Sequence, residues 1–206
     1  MSKLFEKQLE QLIKDTREAY QHYDLYRQIR KAVSVDSHRT YMNRSTNFWS
    51  LTLNAHLDCS RLALCRIYDK TKKAISINKW LCEHRELLLR KASEPGIVER
   101  NLMKAPITTS IIETDLELTN ENDALVNSLN EQRNKAIVHS AKSEIREIET
   151  VFKRYPLTFS NYDELLKRAE VIVNRYSVLY SATSHGIYTD GRDDLKNILP
   201  SANNSE

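Results

Sequence analysis

The chain contains very few of the residues that interrupt helices. Only three glycines and four prolines occur among its 206 residues. Tight turns depend on these two residue types more than on most others. The small number of glycines and prolines therefore favours long helices with short connections over a sheet of many strands. The sequence therefore predicts an all-α fold.

Six segments carry the three- and four-residue apolar spacing of amphipathic helices. Ser76 is expected to cap the third helix, and Pro106 to begin the fourth. Ser160 with Asp163 resembles a capping box that would open the sixth. The closing "DDLKNIL" is expected to be a short docking element in a tail. The six predicted helices cover about residues 9–33, 47–68, 77–92, 107–118, 123–140 and 160–179.

One domain over residues 1–206 is expected, because this length is enough for one hydrophobic core. Its predicted parts are a long first helix in 1–40, a bundle core in 41–183 and a tail in 184–206. The 40% hydrophobic and 29% charged residues are typical of a globular protein. No apolar run approaches the roughly 18 residues of a membrane span. Charges throughout "MSKLFEKQLEQLIKD" leave no secretory signal, so the expected location is the cytoplasm, without membrane attachment.

The cysteines and histidines do not form a metal-binding pattern. Cys59, Cys65 and Cys82 are odd in number and contain no C-x-x-C pair, which argues against disulfides and a thiolate zinc site. We expect them to be small buried hydrophobic residues. His22 and His56 likewise lack the spacing of known metal sites. The sequence predicts neither a metal nor another cofactor, and its net charge of +3 is weak for a protein that coats DNA.

The segment "EQRNKAIVHSAK", residues 131–142, puts Arg133 where an apolar side chain is expected. Leu125, Leu129 and Ile137 share its four-residue spacing, so the guanidinium lies in line with an apolar stripe of its own helix. Charged side chains are rarely buried in such a stripe without a partner. His139 lies on a second, polar stripe that should reach solvent. That stripe also contains Ser128, Gln132, Lys135 and Lys142.

Arg133, Lys135 and His139 have the chemistry needed to cleave RNA. A neutral imidazole can remove the proton of a 2′-hydroxyl group, and a guanidinium can stabilise the charge that develops on the phosphoryl oxygens. On an ideal helix Arg133 and His139 lie about 120° apart around the axis and about 9 Å apart along it, so they could flank a ligand.

The spacing alone does not establish this function. "REAYQH", Arg17 to His22, has a similar spacing, and the composition predicts such matches by chance. Arg133 could instead cover the core with its aliphatic stem while its head reaches water. His139 could interact with the dipole at a helix C-terminus.

The surrounding sequence resembles a known family. "RNKAIVHS" is similar to the R-x4-6-H motif of the HEPN superfamily of helical proteins, many of which are RNA endonucleases. "FWSLTLNAHLDCSRLALCRIYDK" resembles the second helix of the abortive-infection branch of that superfamily. "KRYPLTFSNYDELLKRAEVIVNRYS" and "DGRDDLKNIL" resemble its C-terminal helix and tail. The resemblance covers most of residues 40–200.

The resemblance implies an antiparallel helical bundle, usually a dimer, in which two motif copies face each other across a cleft and cut RNA without metal. Arg133 matches the invariant arginine, Asn134 the polar residue after it, and His139 the histidine. In this branch the residue after the arginine is commonly Asp and the residue before the histidine is often Ala. Here these positions hold Asn134 and Val138.

Taken together, these features predict a metal-independent RNA endonuclease, a toxin or effector of phage defence or of a toxin-antitoxin system. RNA is the expected substrate, a second copy of the chain the expected partner, and an antitoxin protein a further candidate partner. The expected catalytic residues are Arg133 and His139. The expected supporting or RNA-binding residues are Asn134, Lys135, Asp58 and Asp69.

Asp58 or Asp69 is assigned to Arg133, because a partly buried guanidinium needs a carboxylate partner. The alternative function is a non-catalytic helical module that binds RNA, a nucleotide or a protein.

Overall fold

A computed structural model describes residues 3–94, 107–134, 145–186 and 194–199. Every regular element in these ranges is helical, which confirms the predicted all-α class. Within them, no helix is both long enough and apolar enough to cross a membrane. The helices are α1 (Lys3–Val33), α2 (Asp36–Met42), α3 (Thr46–Ile67), α4 (Ile77–Ala92), α5 (Thr109–Thr119), α6 (Ala124–Gln132), α7 (Ile145–Arg154), α8 (Phe159–Ser181) and α9 (Asp194–Ile198).

The chain forms two compact units. The first contains Met1–Thr16 and Leu64–Gly186, and the second contains Arg17–Ala63 and Ile187–Glu206. The single domain expected over residues 1–206 stays a prediction.

The core of the first unit is built around α8. This helix contacts α4 and α6, while α4 also contacts α5 and α6 also contacts α7. Aromatic rings extend the core, since Trp80 lies 5.0 Å from Phe5 and 5.6 Å from Tyr176 between ring centroids. The buried residues of α8 are Tyr162, Leu165, Leu166, Ala169, Ile172, Val173, Tyr176, Ser177 and Leu179.

The core of the second unit includes the predicted docking element. Leu195 and Leu199, in and just after α9, pack in one cluster with Ile29 and Ala32 of α1. Met42 and Trp49 complete the buried part of that cluster. The two leucines of "DDLKNIL" therefore dock as the sequence predicts, whereas Ile198 is exposed.

The buried face of α3 differs from the predicted one. Phe48 and Leu51 were expected on the apolar face, yet they are 61% and 70% exposed, whereas Trp49 is buried. Periodicity identifies a face that can be buried, but the neighbouring elements decide which part of it is covered. The cysteines differ in the same way, because Cys65 is buried while Cys59 is partly exposed and Cys82 is exposed.

Several helix ends also differ from those predicted. Thr108 caps α5 by accepting a hydrogen bond from the Ile111 N–H, while Pro106 lies outside the described residues. Helix α7 and the short α2 are elements that the apolar spacing does not predict. The cap of α8 lies two residues before the predicted one at Ser160, because Thr158 and Asn161 form the capping box and the helix begins at Phe159.

The Thr158 cap satisfies two backbone donors at once. The Asn161 N–H donates to Thr158 Oγ1 at 3.2 Å, and the Thr158 N–H donates to Asn161 Oδ1 at 2.8 Å. We expect Thr158→Ala to lower the free energy of unfolding by about 1 kcal/mol, the usual effect of losing an N-cap. Ser160→Ala, on the exposed first turn, is the matched control and should change it by less than about 0.5 kcal/mol. Urea unfolding of both variants tests this, and equal effects would contradict the cap.

His22 of α1 and His56 of α3 form a contact between two helices of the second unit, with their Nδ1 atoms 2.8 Å apart. One ring must donate to the other, so at least one of them carries a neutral acceptor nitrogen. Burial lowers the pKa of His56, and the nearby His22 lowers it further.

Acid should therefore weaken the fold through this pair. A lowered pKa means that the unfolded chain takes up the proton more readily, so stability is present above about pH 6.5 and is lost as the pH falls below it. His56→Asn, which keeps a polar atom near Nδ1, should reduce this loss. Melting temperatures of the wild type and of His56→Asn at several pH values around 6.5 test this expectation. If the two melting temperatures fell equally with decreasing pH, the expectation would be contradicted.

Candidate functional site

Arg133 directly follows α6, and Asp69 lies just after α3. Arg133 Nη1 donates to Asp69 Oδ2 at 2.7 Å. The side chains are only 17% and 14% exposed, so the pair is largely shielded from water but still reachable. A shielded pair of this kind interacts more strongly than one on an open surface, and removing either partner leaves the other poorly solvated.

Asp69 is held in its ionised form. Burial by itself raises the pKa of this carboxyl, but the backbone N–H of Thr71 and the guanidinium of Arg133 outweigh burial and lower it below its usual value. The Thr71 N–H donates to Oδ1 at 2.7 Å, which leaves Oδ2 for Arg133. The carboxylate is thus charged at neutral pH and fixed in direction before any ligand arrives.

The guanidinium of Arg133 keeps donors for a further partner. Its Nε donates to Asn134 Oδ1 at 3.1 Å, and Nη1 is taken by Asp69. A guanidinium carries five N–H groups, and these contacts use two of them. Among the residues that the structure describes, none accepts a hydrogen bond from Nη2. That edge can bind a phosphate oxygen.

The N-terminus of α6 is held by Asp123. Its Oδ1 accepts hydrogen bonds from the N–H groups of Leu125 and Val126 at 3.0 and 3.1 Å. Its Oδ2 also accepts from Arg168 Nη1 of α8 at 3.0 Å. One carboxylate therefore caps the helix and joins it to the central helix of the unit.

Two buried amides hold the other end of α6. Asn130 Nδ2 donates to the carbonyl oxygen of Tyr68 at 3.2 Å, and Gln132 Nε2 donates to that of Tyr155 at 2.6 Å. Gln132 was expected on the solvent-facing stripe, but it is 2% exposed. The structure corrects that prediction, since Tyr155, just after α7, accepts from the amide nitrogen and Tyr162 of α8 donates to the amide oxygen.

The backbone winding changes at the end of the described part of the predicted fifth helix. The α-helix ends at Gln132, and the backbone of Arg133 and Asn134 has the wider π-type winding. Such a local change of winding often occurs at functional sites. The rest of the predicted helix, to residue 140, lies outside the described residues.

The family of the chain follows from a comparison with known proteins. The AbiU2 family of HEPN domains has a model that matches residues 2–198. The chain belongs to this family. No curated protein and no solved structure is significantly similar to it.

Within this AbiU2 chain the described residues include part of the predicted HEPN motif. Arg133 and Asn134 lie side by side and are hydrogen-bonded to each other. Lys135 and His139 lie outside the described residues.

The two candidate carboxylates of the AbiU2 chain have different partners. Asp69 contacts Arg133, whereas Asp58 lies 3.4 Å from Arg61 of its own helix and is 55% exposed. The partner of Arg133 is therefore Asp69. Sequence reasoning missed the buried amides Asn130 and Gln132, because an amide in an amphipathic helix has no sequence signal that separates burial from exposure.

Replacement of the two carboxylates should have unequal effects. Asp69→Asn keeps the size of the side chain but leaves the shielded guanidinium without a counterion. We expect it to lower the free energy of unfolding by about 1–3 kcal/mol. Asp58→Asn removes an exposed pair and should cost no more than about 1 kcal/mol.

The pH dependence gives a second measure of Asp69. Because its pKa is lowered, its contribution is present above about pH 4 and is lost as the pH falls through the pKa of the folded state. Urea unfolding of the wild type and both variants at neutral and acidic pH tests this. If the free energy of unfolding of Asp69→Asn fell at acidic pH by as much as that of the wild type, this role of Asp69 would be contradicted.

Proposed function

We propose that this AbiU2-family protein is a metal-independent RNA endonuclease that acts as a toxin or effector in phage defence or in a toxin-antitoxin system. Its substrate would be cytoplasmic RNA. Arg133 would bind the phosphate and stabilise the transition state, and His139 would act as general acid and base. Asn134 and Lys135 would support RNA binding, and Asp69 would orient Arg133. Asp58 has no role in this proposal.

The observation that supports the proposal most is the state of Arg133. Asp69 and Asn134 hold one side of its guanidinium, and Nη2 stays available. A cation that is oriented before the substrate binds does not have to reorganise during the reaction, which makes its electrostatic stabilisation effective. A guanidinium that served only to cover the core with its stem would not need this alignment.

The reaction would proceed in one displacement. His139 would take the proton of the 2′-hydroxyl as its oxygen attacks the phosphorus, and the bond from phosphorus to the 5′-oxygen would break. An imidazolium would return a proton to that leaving oxygen. Arg133 Nη2 would stabilise the negative charge on the phosphoryl oxygens. The products are a 2′,3′-cyclic phosphate and a 5′-hydroxyl.

A homodimer would complete the site. If a twofold axis passes near the end of α6, each cleft can combine Arg133 of one protomer with His139 of either. The axial separation of about 9 Å along one ideal helix then presents no difficulty. An antitoxin protein could silence the enzyme by covering this cleft.

Cleavage of total RNA and tRNA by purified protein in EDTA tests the function. Removing a general base commonly lowers a rate by about 10² to 10⁴, so His139→Ala should cut at least about 100-fold more slowly. Arg133→Ala should have an effect of similar order. Arg17→Ala and His22→Asn, from the other match to the motif spacing, are the matched controls and should cut normally. End-group analysis should find cyclic phosphate.

The outcomes separate the functions. A folded His139→Ala protein that cuts at the wild-type rate would refute the catalytic assignment. If the wild type binds RNA without cutting it, and binding weakens in Arg133→Ala, the chain is a binding module instead.

A further inference from the structure

A small cleft lies beside the Arg133–Asp69 pair, at the N-terminus of α4. Its volume is about 130 Å³, and Asp69 is one of its lining residues. Its lining also includes Lys70, Ser76, Lys79 and Glu121. The cleft therefore shares one residue with the candidate catalytic site.

Ser76 leaves a buried hydroxyl group without a partner. It occupies the N-cap position of α4, yet its side chain accepts no hydrogen bond from the first turn. The residue is 1% exposed, and within the described residues its Oγ has no hydrogen-bond partner. An N-cap serine normally uses this oxygen to satisfy a helix N–H. A buried hydroxyl without a partner costs free energy, so a ligand that bonds to it would be favoured.

Lys79 leaves a buried positive charge without a partner. Its Nζ is enclosed and has no hydrogen-bond partner in the part of the chain that the structure describes. The other charged residues at the cleft have partners of opposite charge. Asp69 Oδ2 lies 2.7 Å from Arg133 Nη1, and Lys70 Nζ lies 3.9 Å from Glu121 Oε2. The charge of Lys79 is thus the uncompensated one among these residues, and it favours an anion.

The backbone at the start of α4 adds further hydrogen-bond donors that favour an anion. The first N–H groups of a helix have no carbonyl partner in that helix, and the helix dipole is positive at this end. In the 16-residue helix α4, Ile77, Asn78 and Lys79 supply these groups. The Asn78 side chain is already used, because its amide donates to the Leu116 carbonyl at 2.9 Å. The available donors are therefore backbone N–H groups, a hydroxyl and an ammonium.

The size of the cleft restricts the ligand. Sites that hold a whole small molecule commonly measure about 300–1,000 Å³, and this cleft is smaller. Its donors suit one compact anionic group with several acceptor oxygens. A phosphate group has these properties, and helix N-termini bind it readily.

We propose that this cleft is a phosphate-binding subsite and takes a backbone phosphate of the RNA strand next to the one bound by Arg133. Asp69 lines the cleft and also contacts Arg133, so the two positions are adjacent, as neighbouring phosphate groups of one strand require. The assignment to RNA rests on the proposed function. The affinity of the cleft for a phosphate group is independent of that function.

A binding assay on the full chain tests the subsite apart from catalysis. The probe is a fluorescent 2′-O-methyl oligonucleotide, which lacks the nucleophilic hydroxyl and is not cut. Lys79→Met removes the ammonium and keeps the stem, and we expect it to weaken binding about tenfold or more. The slope of log K against log salt should fall by about 0.7, the value for one lost phosphate contact on a single strand.

Lys91→Met is the matched control. It removes the same charge from the same helix, about 18 Å away along the axis, and should change affinity little. Inorganic phosphate should raise the melting temperature of the wild type and of Lys91→Met but not that of Lys79→Met. Because Lys79→Met removes a buried charge that has no partner in the described ranges, its own melting temperature should equal or exceed that of the wild type.

Each outcome decides one part of the proposal. Equal oligonucleotide affinity and equal phosphate stabilisation in Lys79→Met and Lys91→Met would overturn the subsite. Phosphate stabilisation that depends on Lys79, with unchanged oligonucleotide affinity, would assign the cleft to free phosphate and overturn its role for RNA.

A second variant and the nuclease assay complete the test. If Lys79→Met does not fold, Ser76→Ala decides by the same two measurements, with loss of phosphate stabilisation expected. Wild-type cleavage by both Arg133→Ala and His139→Ala, together with weakened binding by Lys79→Met, would refute the proposed nuclease site and leave the phosphate site standing.

Discussion

The contacts of Asp123 determine where the helix that precedes the motif begins. Helix α6 has only nine residues, and a helix of this length is barely stable by itself in water. Asp123 bonds to the first N–H groups of α6 and to Arg168 of the central helix α8. At the other end, Gln132 and Arg133 bond to segments beyond the helix. The direction of the Arg133 guanidinium therefore depends on polar contacts at both ends of α6.

The all-α fold class and the longer helices could be predicted from the sequence, because they depend on local properties. The scarcity of glycine and proline indicates helices, and the regular apolar spacing from Leu9 onward locates most of α1. The exposure of Phe48 and Leu51 could not be predicted, since it depends on which neighbour reaches that part of α3. The start of α8 was missed for a local reason, because Thr158 and Ser160 both resemble caps and it is Thr158 that forms the capping box with Asn161.

The candidate site was predictable to the extent that it follows from electrostatics. A guanidinium in an apolar stripe needs a carboxylate, and this reasoning reduced the choice to Asp58 and Asp69. The choice between them depends on where the chain turns after α3, because the Thr71 N–H fixes Asp69 and leaves one carboxylate oxygen for Arg133. Ser76 and Lys79 gave no such signal. A serine before a helix and a lysine in its first turn are common, and only the packed structure shows that neither has a partner among the described residues.

Among the described residues, the buried ammonium of Lys79 stands out because other shielded charges of the same unit are paired. Asp115 bonds to Arg175 and Tyr176, and Asp123 bonds to Arg168. A chain that satisfies these charges with its own side chains would gain stability by doing the same for Lys79. Natural proteins tend to depart from such local consistency at functional sites, where a ligand supplies the missing contact. An anion in the cleft would extend the same pairing to Lys79, so the ligand-bound protein should be the more stable form and binding should be coupled to folding.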